Sequence, residues 1–118
     1  MTTTKLMIGN WVLDTRTNRP LQVNPFMAEL EVPEWTALPL TEDILRKNKF
    51  IKLLECDLIF SWKDESAHDI IVNLKKGTLT IWESHKILLY SEFGSDIIPV
   101  HYLQNAITLH QINKKITI

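Results

Sequence analysis

Three apolar runs, residues 70–74, 79–82 and 87–90, follow one another across two short polar links, Lys75-Lys76-Gly77-Thr78 and Glu83-Ser84-His85-Lys86. Links this tight join their neighbours as antiparallel hairpins, because a parallel crossover needs a dozen residues or more. An earlier run, Leu58-Ile59-Phe60-Ser61-Trp62, precedes the polar connection from Lys63 to Asp69. Together these segments predict a four-stranded antiparallel meander over residues 57–90. Pairing Leu74 with Leu79 and Val72 with Ile81 keeps apolar side chains on one face, whereas a slip of one residue puts Thr78 and Thr80 there. The same logic sets Ile81 opposite Leu88 and Leu79 opposite Tyr90.

Helical signals flank this region. In Pro39-Leu40-Thr41-Glu42-Asp43-Ile44-Leu45-Arg46-Lys47-Asn48, the Thr41 hydroxyl suits an N-cap. Glu42 and Asp43 favour the positive end of the helix dipole, and Arg46, Lys47 and Lys49 the negative end. Leu40 is placed to staple onto Leu45. Asn48 suits a left-handed C-cap. After Gly94, the residues Val100, Leu103, Ala106, Ile107 and His110 fall on one arc of a second helix, widened by Tyr102 and Leu109. Pro99 fits its first turn, Asn113 its C-cap, and Lys114 and Lys115 its negative end. Ile116-Thr117-Ile118 reads as a short final strand.

The first third is rich in turns. Leu6, Ile8 and Val12 flank Gly9-Asn10, a pair suited to positive φ. Asp14 to Pro20 is turn-like, Leu21 and Val23 resume an extended pattern, and Phe26, Ala28, Leu30 and Val32 alternate with polar or flexible residues as a half-buried strand does. The resulting class is α+β: short N-terminal strands over residues 1–38, then one short helix, the meander and a C-terminal helix packed on the sheet over residues 39–118. The 118 residues suit a single domain.

Composition excludes several functions. The one cysteine, Cys56, permits no intrachain disulfide and no thiolate metal cage. No run reaches the roughly 18 apolar residues of a membrane span, and the apolar stretch Leu6 to Ile8 is too short for a signal peptide, so the expected location is the cytoplasm. A net charge of −1 supplies no global field toward nucleic acid. Three glycines leave no phosphate-cradling loop. There is no nucleophile elbow, no His-x-x-x-His and no motif-supported carboxylate pair. Glu55 and Asp57 flank Cys56 and disfavour its thiolate. Asp64, Glu65 and Asp69 read as a solvated loop. The expectation is a protein with no catalytic centre, metal or cofactor.

Three segments carry a resemblance: Ile8-Gly9-Asn10-Trp11-Val12, then Pro39-Leu40-Thr41-Glu42-Asp43-Ile44-Leu45 through Asn48-Lys49-Phe50, then His101-Tyr102-Leu103-Gln104-Asn105. In order and spacing the chain resembles a family of small uncharacterised proteins from genomes of the Bacteroidetes group and their phages or mobile elements. Lys49 stands where that family usually has glycine, and Asn113-Lys114 replaces its usual Thr-Gly. The resemblance implies a bacterial or phage-derived origin and supplies no catalytic residues.

One helix face is unusual. Between Val100 and Asn113 there is no Lys, Arg, Asp or Glu. His101, Gln104, Asn105, Thr108 and Gln111 form the polar arc, hydrogen-bonding yet cheaper to desolvate than a charged face. Such an arc suits a cover: a partner protein, a second copy, or this chain's own N-terminal segment. The leading expectation is a non-enzymatic interaction or accessory module that self-associates or binds another protein. The alternative is a nucleic-acid-associated module, with Trp11, Trp35, Trp62 and Trp82 as stacking platforms. Against that alternative, Lys75, Lys76 and Lys86 sit at opposite ends of the meander.

Overall fold

The computed structural model describes residues 7–23, 35–54, 58–94 and 98–118. The alternating stretch at Phe26 to Val32 and the thiol of Cys56 lie outside the described residues. Elements follow as β1 (Trp11–Asp14), β2 (Arg19–Gln22), β3 (Trp35–Thr36), α1 (Glu42–Lys47), β4 (Ile51–Leu54), β5 (Ile59–Lys63), β6 (His68–Asn73), β7 (Thr78–Glu83), β8 (Lys86–Glu92) and α2 (Val100–Leu109). The class is α+β, with two helices and two antiparallel sheets among the described residues.

The meander has five strands, not four, in the order β4-β5-β6-β7-β8. The extra strand begins directly after Phe50, whose buried ring anchors the chain as it leaves α1. The register also differs from the expected one. Val72 faces Leu79 and Ile70 faces Ile81, two residues from the expected pairing, so the same side chains still point inward. Turn chemistry sets this register: residues 74–77 form the loop, Gly77 takes φ 70° and donates to the Asn73 carbonyl at 2.9 Å. The Asn73 side chain accepts from the amides of Lys75 and Lys76 at 3.1 and 3.0 Å. The β1–β2 turn repeats the device, with Asp14 accepting from the Arg16 amide and Asn18 at φ 56°. Between β7 and β8, Trp82 faces Ile87 while Ile81 faces Leu89, so Leu88 is the extra residue of a bulge. That bulge overturns the expected Ile81–Leu88 and Leu79–Tyr90 pairs.

Both helices end differently from expectation, and in the same way. Thr41 caps α1, accepting from the Ile44 amide at 3.3 Å. At the other end Asn48 keeps φ −96°, and Lys49 is the residue at φ 70°. Lys49 donates to the Arg46 carbonyl and Phe50 to the Leu45 carbonyl, the paired bonds of a Schellman motif. In α2, Pro99 is the N-cap and not part of the first turn. The helix stops at Leu109, with His110 as C-cap and Gln111 at φ 56°, so Asn113 is not its cap. Gln111 donates to Thr108 and Ile112 to Ile107, again a Schellman pair. In each case the buried C″ residue (Phe50, Ile112) packs in the same core as the C3 residue (Leu45, Ile107). This hydrophobic contact holds a side-chain-bearing residue in the left-handed region, at a cost of about 1 kcal/mol.

The inner sheet face carries Phe60, Ile70, Val72, Leu79 and Ile81, all fully buried in one cluster with Leu45 of α1 and Val100, Leu103, Ala106 and Ile107 of α2. The segments leading into the helices are joined as well. Pro39 faces Pro99 in an antiparallel bridge, and the flanking amides make the bonds, Leu40 to Ile98 and Val100 to Leu38, each 2.8 Å. Two prolines thus sit where neither needs an N–H. Leu109, expected on the apolar arc, is 74% exposed because the helix terminates there. Residues 116–118 form no strand; Thr117 instead pairs with the side chain of Asn48.

Candidate functional site

The polar arc of α2 meets the chain's own N-terminal sheet. Gln104 accepts from the Trp11 amide at 2.7 Å and donates to the Gly9 carbonyl at 3.1 Å. Asn10 donates from its side chain to Asn105 at 2.8 Å. Gly9 supplies the turn with φ 95°, and the Asn10 carboxamide accepts from the Met7 amide. His101 is 4% exposed and meets the Trp35 ring edge-on at 5.8 Å. Thr108 is exposed and bonds back to the Gln104 carbonyl, and Gln111 is exposed beyond the helix end. Of the three occupants considered for the arc, the N-terminal segment is the one that meets Gln104 and Asn105. Motif residues ninety-odd positions apart, Gly9-Asn10 and Gln104-Asn105, therefore bond to each other.

His110, expected inside the apolar arc, is the half-buried C-cap, and its Nε2 has no hydrogen-bond partner among the described residues. His68 lies between two carboxylates, with Nδ1 2.8 Å from Asp64 and Nε2 3.0 Å from Glu83. Burial alone pushes the Asp64 carboxyl upward. The His68 backbone amide, the His68 ring and the Ser66 amide together more than offset that and hold it below the usual aspartate range. Asp64 thus closes the β5–β6 turn and is not a freely solvated loop acid. Asp69 accepts from Ser61 at 3.1 Å. Among the described residues no group of three His, Cys, Asp or Glu side chains is arranged to hold a metal ion, and no helix is long and apolar enough to cross a membrane. A recess of about 210 Å³ is lined by Ile59, Asn73, Lys75 and Lys76, smaller than a typical cofactor pocket.

The outer sheet face, which sequence reasoning missed, is open along its edge strands and closed at Ser61, which is 5% exposed. The registers align Ile51, Ser61, Ile71, Thr80 and Tyr90 in one row across all five strands. Ile59, Asn73 and Thr78 flank the row on one side, and Trp82 and Ile87 on the other. Ile51 is 70% exposed, Leu53 and Tyr90 53%, and Ile87 50%. Lys63 and Asp69 share the row of Trp82 and Ile87, next to the middle row, and Glu92 stands in the row of Ile59, Asn73 and Thr78. Glu92 accepts from the Tyr90 hydroxyl at 2.6 Å. The alternation of Ile71 with Val72 and of Thr80 with Ile81 was the available signal. It needed the fifth strand and the bulge to become a continuous row. The chain matches no family model, no curated protein and no solved structure.

Proposed function

We propose that this protein is a non-enzymatic interaction module that self-associates through the outer face of its five-stranded sheet. The observation that carries the reading is the exposure of Ile51, Ile87 and Tyr90 along a face whose middle row, Ile51, Ser61, Ile71, Thr80 and Tyr90, carries no charge. Protein interfaces are depleted in charge at their centre and enriched in aromatic residues. A second copy presents the same uncharged chemistry, so an isologous pair buries no unpaired charge at its middle. The polar arc of α2 supports this choice of face indirectly. Gln104 and Asn105 already spend hydrogen bonds within the chain, which leaves the sheet as the larger surface of low charge.

Area sets the strength. Five strands about 4.8 Å apart and about five residues of about 3.3 Å each span a plane of roughly 400 Å². Two such faces bury less than the roughly 1,600 Å² of a standard interface, so the pair is weak and concentration-dependent. Light scattering of the eluting protein tests this. The reading expects a mass rising toward the dimer with concentration, and a monomer at every concentration for Ile51→Glu combined with Tyr90→Glu. A wild-type monomer throughout, or a dimer unaffected by both substitutions, overturns it.

A further inference from the structure

We infer that His68 is a pH-sensitive clasp between the β5–β6 and β7–β8 turns, held shut by the hydrogen on its Nε2. Alternation along β6 puts His68 on the inner face with Ile70 and Val72, in the row that closes one end of the sheet. Its two ring nitrogens meet carboxylates from different parts of the chain: Nδ1 lies 2.8 Å from Asp64 and Nε2 3.0 Å from Glu83. An ionised carboxylate only accepts, and a neutral imidazole has one N–H to give, so imidazolium alone serves both. Little water reaches the ring to replace either partner, since 11% of the His68 side chain and 15% of that of Asp64 are exposed. The Ser84 amide donates to the Ala67 carbonyl at 3.0 Å and joins the same two turns through the backbone.

The two ring contacts differ in what else secures them. Asp64 also accepts from the backbone amides of Ser66 and His68, at 2.9 and 2.8 Å, and is fixed within its own turn. Glu83 is 53% exposed and stands opposite Lys86 across the β7–β8 hairpin, a second cation at cross-strand distance. When the ring gives up a proton, Nδ1 keeps its hydrogen toward Asp64 and Nε2 turns a lone pair on Glu83. Glu83 then leaves for solvent and Lys86, and the β7–β8 turn loosens from the β5–β6 turn. Histidine changes charge between about pH 5 and about pH 8, so the clasp is shut at the acid end of that range and open at the other. The remaining charges do not substitute for the lost proton. Lys63 and Asp69 are on the outer face, and Glu65 and His85 are exposed in the turns. α1 directs Glu42 to Arg46 and Lys52, α2 contributes only His101 against Trp35, and the C-terminal segment holds Lys114 over Trp62, one row away. Among the described residues no other charged side chain is within ion-pair distance of the ring.

The test is NMR of 15N-labelled protein between about pH 5 and about pH 8, kept dilute so that the readings do not depend on the self-association proposed above. The imidazole nitrogen shifts are expected to show Nε2, not Nδ1, losing its hydrogen. Over the same range the Ser84 amide is expected to exchange about tenfold faster, after correction for intrinsic exchange, as a hydrogen bond to a charged group is lost. Both readings come from the wild-type chain and need no variant to fold. Glu83→Gln presents an NH2 group to the neutral ring and a carbonyl to the charged one, so its Ser84 protection is expected to be equal at both ends. Lys63→Gln, on the outer face, is expected to keep the wild-type response. Loss of the hydrogen from Nδ1, a ring that keeps one charge state across the range, Ser84 protection that does not follow the ring, or an equal fall in Glu83→Gln overturns the inference.

Discussion

Asn48 and Thr117, 69 positions apart, exchange two hydrogen bonds: the Asn48 carboxamide donates to the Thr117 carbonyl and accepts from its amide, each at 2.8 Å. The same NH2 group donates to the Ile44 carbonyl, also at 2.8 Å. One buried side chain thus closes the end of α1 and satisfies a backbone pair of the C-terminal segment, in place of the strand expected there. Asn48→Ala leaves the Thr117 amide and carbonyl without this partner, while the Ile44 carbonyl keeps the backbone amide of residue 48, and is expected to cost about 2 kcal/mol. Urea unfolding measures the loss, and hydrogen exchange should show the Thr117 amide as the most accelerated.

The two left-handed C′ residues predict gains. Lys49→Gly and Gln111→Gly each remove side-chain strain and return part of it as chain entropy, a net stabilisation of about 0.5 kcal/mol apiece. Thermal melting checks this.

The arc of α2 separates into two kinds of residue. Gln104→Ala strands the Trp11 amide, while the Gly9 carbonyl keeps the Gln22 side chain, and is expected to cost about 2 kcal/mol. Thr108→Lys, at an exposed position, should stay within about 0.5 kcal/mol. Chemical denaturation of the two variants side by side distinguishes them.

Asp64 sets an acid limb. Its folded carboxyl binds a proton less tightly than in the unfolded chain, where aspartate sits near 3.8. Its contribution to stability is therefore complete above that value and is lost as pH falls through the lower, folded pKa. Asp64→Asn should flatten the stability profile below about pH 4, as followed by melting temperature against pH.

Local chemistry was legible in the residues that carry it. Thr41 caps α1, Gly9 turns the N-terminal segment, and Val72 and Leu79 point inward despite a shifted partner. Errors arose where a distant contact decided the outcome. The left-handed position fell on Lys49 and Gln111, not on Asn48 and Asn113, because buried Phe50 and Ile112 fix where each Schellman turn closes. The four-residue loop held by Asn73 and Gly77 moved the β6–β7 register by two, and the extra Leu88 moved the β8 pairs by one. Each change needs a count of loop or bulge residues that apolar periodicity does not contain. At the site, the absence of charge between Val100 and Asn113 was readable. What covers Gln104 and Asn105, and the bond from Lys114 to Asn48, depend on contacts more than 60 positions apart.

Amide and methyl chemical shifts recorded across a dilution series test the central claim most directly. Self-association through the outer sheet face predicts concentration-dependent shifts at Ile51, Ser61, Ile71, Thr80 and Tyr90, with Gln104 and Asn105 unmoved. Shifts confined to Met7, Ile8, Thr108 and Leu109, or none over the range, would contradict it.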